Sequence, residues 1–231
     1  MYVPYEWKLK TNEITQLKPN TKFAVMYSGG KDSALALSLT INQGELCSLL
    51  HCVDENSCRS LFHNQSLDII CEHAKRLNVP IYYLDNKWWI KWDRVVSQYI
   101  KLKNQGVEAI VFGDLGSEDN IEIQYKICVA SGLKPCFPLY RKKYDDLLDY
   151  IEKYNITSII TKLNDEKIPI EWLGEKYDKK SYEFLKKLEI DAFGENGEFH
   201  TTVVGADFLD GDIKYSVSKY ANKSAIININ V

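Results

Sequence analysis

The chain has 231 residues, of which 45% are hydrophobic and 26% charged, with a formal net charge of -3. That length accommodates one large or two small domains, and the charge balance excludes a global electrostatic pull toward nucleic acid. No apolar run approaches the ~18 residues of a membrane span and no signal-peptide pattern opens the chain, so the expectation is a cytoplasmic protein with no nucleic-acid and no membrane partner.

Residues 1–22, with Pro4 and Pro19, read as an N-terminal extension that packs on the first strand or forms a hairpin. An apolar strand at 23–27 then meets Ser28-Gly29-Gly30-Lys31-Asp32-Ser33, and a helical pattern follows over 32–43. Strand, double-glycine turn and helix in that order set a ring of backbone N–H groups around an anion. Glycine lets the backbone approach a ligand without a Cβ in the way, and the first helical N–H groups have no partner inside the helix. Lys31 adds a mobile positive charge, and Ser28 and Ser33 add hydroxyl donors. The plainer alternative is a glycine turn capped by Ser28 or Asp32. The run is not a Walker loop, because the position that needs the first glycine of that pattern is Val25.

Further buried strands are expected at 46–53, 81–84, 109–112 and 136–137, and helices at 66–77, 93–105 and 119–131. Gly44, Gly106 and Gly132 stand where left-handed helix stops are wanted. This alternation predicts an α/β fold, a doubly wound, Rossmann-like parallel sheet whose ligands lie beyond the carboxyl ends of its strands. Two of those ends are the glycine turn and Gly113-Asp114. Past Pro138 the rhythm changes to helices at 144–154 and 181–188, a strand at 158–163 and alternating strands at 199–204, 213–220 and 225–231. A soft boundary near Leu139 divides a nucleotide-binding part, 23–138, from a smaller C-terminal α+β substrate part, 139–231.

Six cysteines form no C-x-x-C pair. Cys71, Cys128 and Cys136 fall in apolar patterns and read as core thiols. His51, Cys52, Cys58 and His63 are a weaker zinc candidate, set against a strand end followed by a loop. Basic clusters at 141–143 and 186–187 read as solvated faces.

The glycine turn resembles the PP-loop of the ATP pyrophosphatases, or adenine nucleotide α-hydrolases. Val111-Phe112-Gly113-Asp114, Trp172-Leu173-Gly174 and Gly194-Glu195-Asn196-Gly197-Glu198-Phe199-His200-Thr201, in that order, narrow the resemblance to the diphthine–ammonia ligase family over residues 23–204. What this implies is a ligase that adenylates a carboxylate with ATP and lets ammonia displace AMP. The partners implied are ATP, a small-molecule or protein side-chain carboxylate and an ammonia donor; a homodimer is compatible with the sequence. ATP and Mg²⁺ are the cofactors expected, with Tyr27, Ser28, Gly29, Gly30, Lys31, Asp32, Ser33 and Gly113 binding the nucleotide.

Lys31, Asp114, Glu195, Glu198 and His200 are the candidate catalytic residues. Lys31 would offset phosphate charge, and Asp114 would hold magnesium-bound water, orient the nucleophile, or merely cap the next helix. Glu195, Glu198 and His200 are expected to converge on one side of a loop. A glutamate there would bind ammonium or take its proton, and His200, titrating near neutrality, would act as acid, base or anchor; a solvated hairpin turn is the alternative. Two departures bear on the acceptor: Asn120-Ile121 stands where the family has a His-Arg pair, and Gly205-Ala206-Asp207-Phe208 where it has Asp-Gly-Pro-Leu. ATP-dependent sulfur transfer and a non-catalytic nucleotide-binding module are the competing functions.

Overall fold

The computed structural model describes residues 11–54, 59–60, 66–85 and 92–230. Strands β1 (Thr21–Met26), β2 (Gly44–Asp54), β4 (Ile81–Asp85), β5 (Ala109–Val111) and β6 (Lys134–Cys136) form a parallel sheet in the order β4-β2-β1-β5-β6. A short strand, β3 (Arg59–Ser60), pairs antiparallel with the end of β2. Helix α1 (Thr11–Ile14) precedes the sheet, and α2 (Lys31–Thr40), α3 (Leu67–Leu77), α4 (Trp92–Asn104) and α5 (Glu118–Ser131) alternate with its strands.

Central β1 is apolar from Phe23 to Met26 because both faces of that stretch are covered, as in parallel sheets generally. Phe23, Val25 and Tyr27 join one apolar core with Leu35 and Ile70, whereas Ala24 joins the other with Tyr99 and Cys128. The chain leaves β1 to one side through β2 and later returns on its other side as β5. That reversal of strand order opens a crevice at the carboxyl ends of β1 and β5.

The C-terminal part contains α6 (Tyr144–Lys153), β7 (Thr157–Leu163), β8 (Lys176–Tyr177), α7 (Lys179–Lys187), β9 (Phe199–Gly205), β10 (Tyr215–Tyr220) and β11 (Ser224–Ile229). Its sheet is antiparallel and built on β7, which pairs with β8, β9 and β11. The two sheets separate in the chain between β6 and α6, but the core around Phe23 and Val25 continues through Leu147, Ile160, Phe199 and Val203. Among the described residues no helix is long and apolar enough to cross a membrane.

Three local expectations are corrected. Gly44 stops no helix: α2 ends at Thr40, and Gly44 opens β2 opposite Thr21, whose carbonyl oxygen leaves no room for a Cβ. Gly106 and Gly132 do have positive φ, and Asn78 serves the same purpose after α3. The described part of the N-terminal extension forms no hairpin: it packs at the β6 edge, where Ile14 is buried and its carbonyl accepts from the Phe137 amide, while Leu17 joins the core of Phe23 and Val25. Cys128 and Cys136 are core thiols, but Cys71 is exposed because it lies off the buried stripe of Ile70 and Ala74.

Candidate active site

Past Met26 the backbone turns sharply at Gly29, where φ is +82° and a Cβ would run into Ile70 Cδ1. Helix α2 starts at Lys31 with Gly30 as its N-cap and no side-chain cap, so neither Ser28 nor Asp32 caps it. The hydroxyls brace the turn from within: Ser33 Oγ donates to Gly30 O at 3.0 Å, and Ser28 Oγ accepts from Gly30 N at 3.2 Å and lies 3.1 Å from Ser33 Oγ. Gly113 abuts this helix start, and a Cβ there would lie 2.9 Å from both Asp32 C and Ser33 N. Tyr27 offers only backbone to the cleft, since its buried hydroxyl bonds His73 Nδ1 at 2.9 Å.

Strand β9 runs against the same loop. Val203 N donates to Gly29 O at 2.8 Å, and Lys31 N donates to Thr201 Oγ1 at 3.1 Å. The Lys31 side chain is 3% exposed. Its ammonium donates to Phe193 O at 2.5 Å and to both Asp32 carboxylate oxygens at 2.9 Å. It also lies 4.4, 5.3 and 5.5 Å from the ring centres of Phe193, Tyr177 and Phe199. The expected mobile charge is instead fixed in an aromatic cage, where cation–π attraction replaces lost hydration. The cage leaves no local signal in the chain, because its rings come from three separate stretches of the C-terminal part.

A cleft of about 320 Å³ opens above the loop. Ser28, Asp32 and Ser33 line it from the loop, Gly113 and Asp114 from the end of β5, and Glu195 and His200 from the C-terminal part. Its charge is dominated by Asp32, Asp114 and Glu195, each protonated more readily than an ordinary carboxylate. For Asp32, burial raises the pKa more than Lys31 lowers it. Asp114 keeps some surface exposed, yet burial and then the charges of Glu195 and Asp32 push it up to about 7, against a hydrogen bond from Gln124. Burial and then Asp32 raise Glu195, whose carboxylate accepts from Gly116 N at 3.2 Å and Leu115 N at 3.3 Å. Asp114 caps no helix, as the N-cap of α5 is Ser117.

The turn carrying Glu195 is built on Asp191, whose Oδ1 accepts from Phe193 N at 2.8 Å and Gly194 N at 3.0 Å. Gly194 and Gly197 both have positive φ. Glu198 turns back into this loop, accepting from Asn196 N at 3.1 Å and Asp191 N at 3.3 Å. The expected convergence is therefore corrected to Glu195 and His200, with Glu198 as the internal brace. His200 is also corrected as a near-neutral titrator. Burial first, then Lys162 and Lys31, lower its pKa to about 4, and Asn164 Nδ2 lies 3.3 Å from Nε2. Asn120, which stands where the family has a cation, lines the cleft, and Thr201 contacts the loop, a role its residue type alone did not single out.

A family model described as the diphthamide synthase N-terminal domain matches residues 21–135. Residues 21–135 belong to the diphthamide synthase N-terminal domain family. The match ends within β6, the last strand of the parallel sheet in sequence; the family is adenine nucleotide α-hydrolase-like and typically uses ATP. Comparison with curated proteins yields no match. Among solved structures, a predicted subunit of tRNA methyltransferase from Methanocaldococcus jannaschii is similar at 15% identity and a TM-score of 0.42, covering 80% of this chain and 98% of that one.

Asp32, Asp114 and Glu195 offer the hard oxygen donors that Mg²⁺ takes, and their raised pKa values mark negative charge that a cation would relieve. Among the described residues no three metal-binding side chains converge closely enough to hold an ion by themselves. Mg²⁺ held by one or two carboxylates together with nucleotide phosphates fits this donor set. Of the zinc candidates, His51 is buried in β2, and Cys58 and His63 lie outside the described residues. Burial lifts the Cys52 thiol to about 12, which leaves it a poor sulfur nucleophile at neutral pH.

Proposed function

We propose that the protein is an ATP-dependent, AMP-forming ligase that converts a carboxylate into an amide, with an acceptor that need not be diphthine. A carboxylate oxygen attacks the α-phosphorus of ATP, the bond to the β-phosphate oxygen breaks, and pyrophosphate leaves. Ammonia then attacks the acyl carbon of the mixed anhydride, and AMP departs with the former carboxylate oxygen.

The observation that carries this reading is one cleft with two chemically opposite walls. The start of α2, where Ser28, Asp32 and Ser33 line the cleft, suits the β,γ-phosphates. Asp114 and Glu195 face them and suit ammonium. Asp114, with a pKa near 7, is matched to taking a proton from the attacking nitrogen at neutral pH. Bound Mg²⁺ would offset phosphate charge. Gly113 keeps the end of β5 tight against the loop, so the two walls hold a fixed separation.

The test is incubation of the full chain with labelled ATP, ammonium and a panel of carboxylates, reading the nucleotide products. AMP and pyrophosphate in equal amounts, increased by ammonium, are the expected result. ADP and phosphate, or no turnover with any acceptor, would overturn the proposal.

A further inference from the structure

We infer that His51 reads the base of the nucleotide, its Nε2 accepting a hydrogen bond from the exocyclic amine of adenine. The inference rests on the ATP reading above and deepens it by assigning the residue that selects the base. His51 lies in β2, is 1% exposed and lines the cleft. Its Nδ1 stands 2.7 Å from Tyr27 O. A carbonyl only accepts, so Nδ1 carries the proton and Nε2 is left as a lone-pair acceptor. Burial lowers the pKa of the ring and keeps it in this neutral form.

Among the described residues Nε2 has no hydrogen-bond partner, and it is shut off from bulk water. Buried polar atoms are almost always paired, and leaving an acceptor unpaired costs free energy, so the atom calls for a donor. The surrounding wall says which kind. Met26 and Cys52 line the cleft too, with Met26 Sδ and Cys52 Sγ 3.7 Å apart, and offer a soft, polarizable surface for a flat ring. With a triphosphate on the turn, Met26 of β1 and His51 and Cys52 of β2 are the cleft residues left to meet its base. Adenine presents an amine donor at its six-position, whereas guanine and hypoxanthine present a carbonyl oxygen there, setting lone pair against lone pair.

Calorimetric titration of the full chain with ATP, purine riboside triphosphate (adenine without its amine), ITP and 2′-deoxy-ATP tests the assignment. ATP is expected to bind about tenfold more tightly than the amine-free analogue, the size of one lost hydrogen bond, with ITP weaker still. In His51→Phe the two affinities should agree within about twofold. Equal affinities in the wild-type protein, or a preference that survives His51→Phe, would overturn the inference. So would a tenfold loss with 2′-deoxy-ATP that His51→Phe abolishes, because Nε2 would then serve the ribose. No binding of any nucleotide would defeat the ATP reading itself, and this inference with it. If His51→Phe does not fold, nitrogen NMR of histidine-labelled wild-type protein decides. A shift of the Nε2 resonance with ATP and not with the amine-free analogue supports the inference, and a resonance that ignores both, as with a resident water, overturns it.

Discussion

The amide of Val203 donates to the carbonyl oxygen of Gly29 at 2.8 Å, which seats strand β9 directly against the phosphate loop. Thr201, two residues earlier, takes the Lys31 amide. The C-terminal sheet thus braces the nucleotide-binding turn through backbone as well as side chains. Thr201→Val keeps the shape and removes the acceptor, leaving a buried N–H unpaired. The expected loss is about 1–3 kcal/mol of stability, read from urea unfolding. No loss would mean that the Lys31 amide finds another acceptor.

Lys31→Met is expected to lower ATP turnover at least tenfold while leaving Tm nearly unchanged. Methionine fills the space between Phe193, Tyr177 and Phe199 with favourable sulfur–aromatic contact, but Asp32 loses the cation that offsets its charge. Pyrophosphate release and a thermal melt on the same preparation separate the two effects. An unchanged rate would remove the ammonium from the chemistry.

The pH dependence should follow Asp114. Its folded pKa, about 7, lies above the ordinary 3.8, so its contribution to stability is complete at low pH and is lost as pH rises through 7. Asp114→Asn should therefore gain stability over wild type above pH 7, on the order of 1–3 kcal/mol given its partial exposure, and gain nothing near pH 4. The rising limb of the wild-type rate near pH 7 should disappear in this variant. His200→Gln should retain that limb, because His200 titrates near 4.

Glu195 and Glu198 should part company. Glu195→Gln is expected to raise the KM for ammonium about tenfold with little change in Tm, since the amide oxygen still accepts from Leu115 and Gly116. Glu198→Gln should lower Tm and leave that KM in place, because Glu198 braces its own turn. Matching effects from both would return Glu198 to the cleft.

The parallel sheet was legible because its strands are continuous apolar runs and its helices end in Gly106 and Gly132, local signals that tertiary context reinforces. The glycine turn was legible for the same reason, since strand, turn and helix adjoin in sequence. Gly44 misled because a glycine shortly past a helix reads alike whether it needs a left-handed φ or merely room beside Thr21 O. Glu195 and Glu198 share a charge and a turn, and only the packing of Asp191 decides which one faces the cleft. The fate of Lys31 depended on rings 146 to 168 positions away in the chain, beyond any periodicity.

Gly113→Ala is expected to weaken ATP binding about tenfold or more and to cost roughly 1–3 kcal/mol of stability. The added methyl meets backbone of Asp32 and Ser33, which cannot swing aside as a flexible side chain would. Titration with ATP and a denaturant melt check both figures. Unaltered affinity would show that the end of β5 can retreat without disturbing the loop.

The apolar core that passes from Phe23 and Val25 to Phe199 and Val203 has a consequence for dissecting the molecule. A fragment cut after Leu139 would uncover a greasy flank and strip the glycine turn of its Val203 tether, so it should precipitate or bind nothing. Melting should accordingly register as one cooperative event, and nucleotide added at the turn should protect amides as far off as β9.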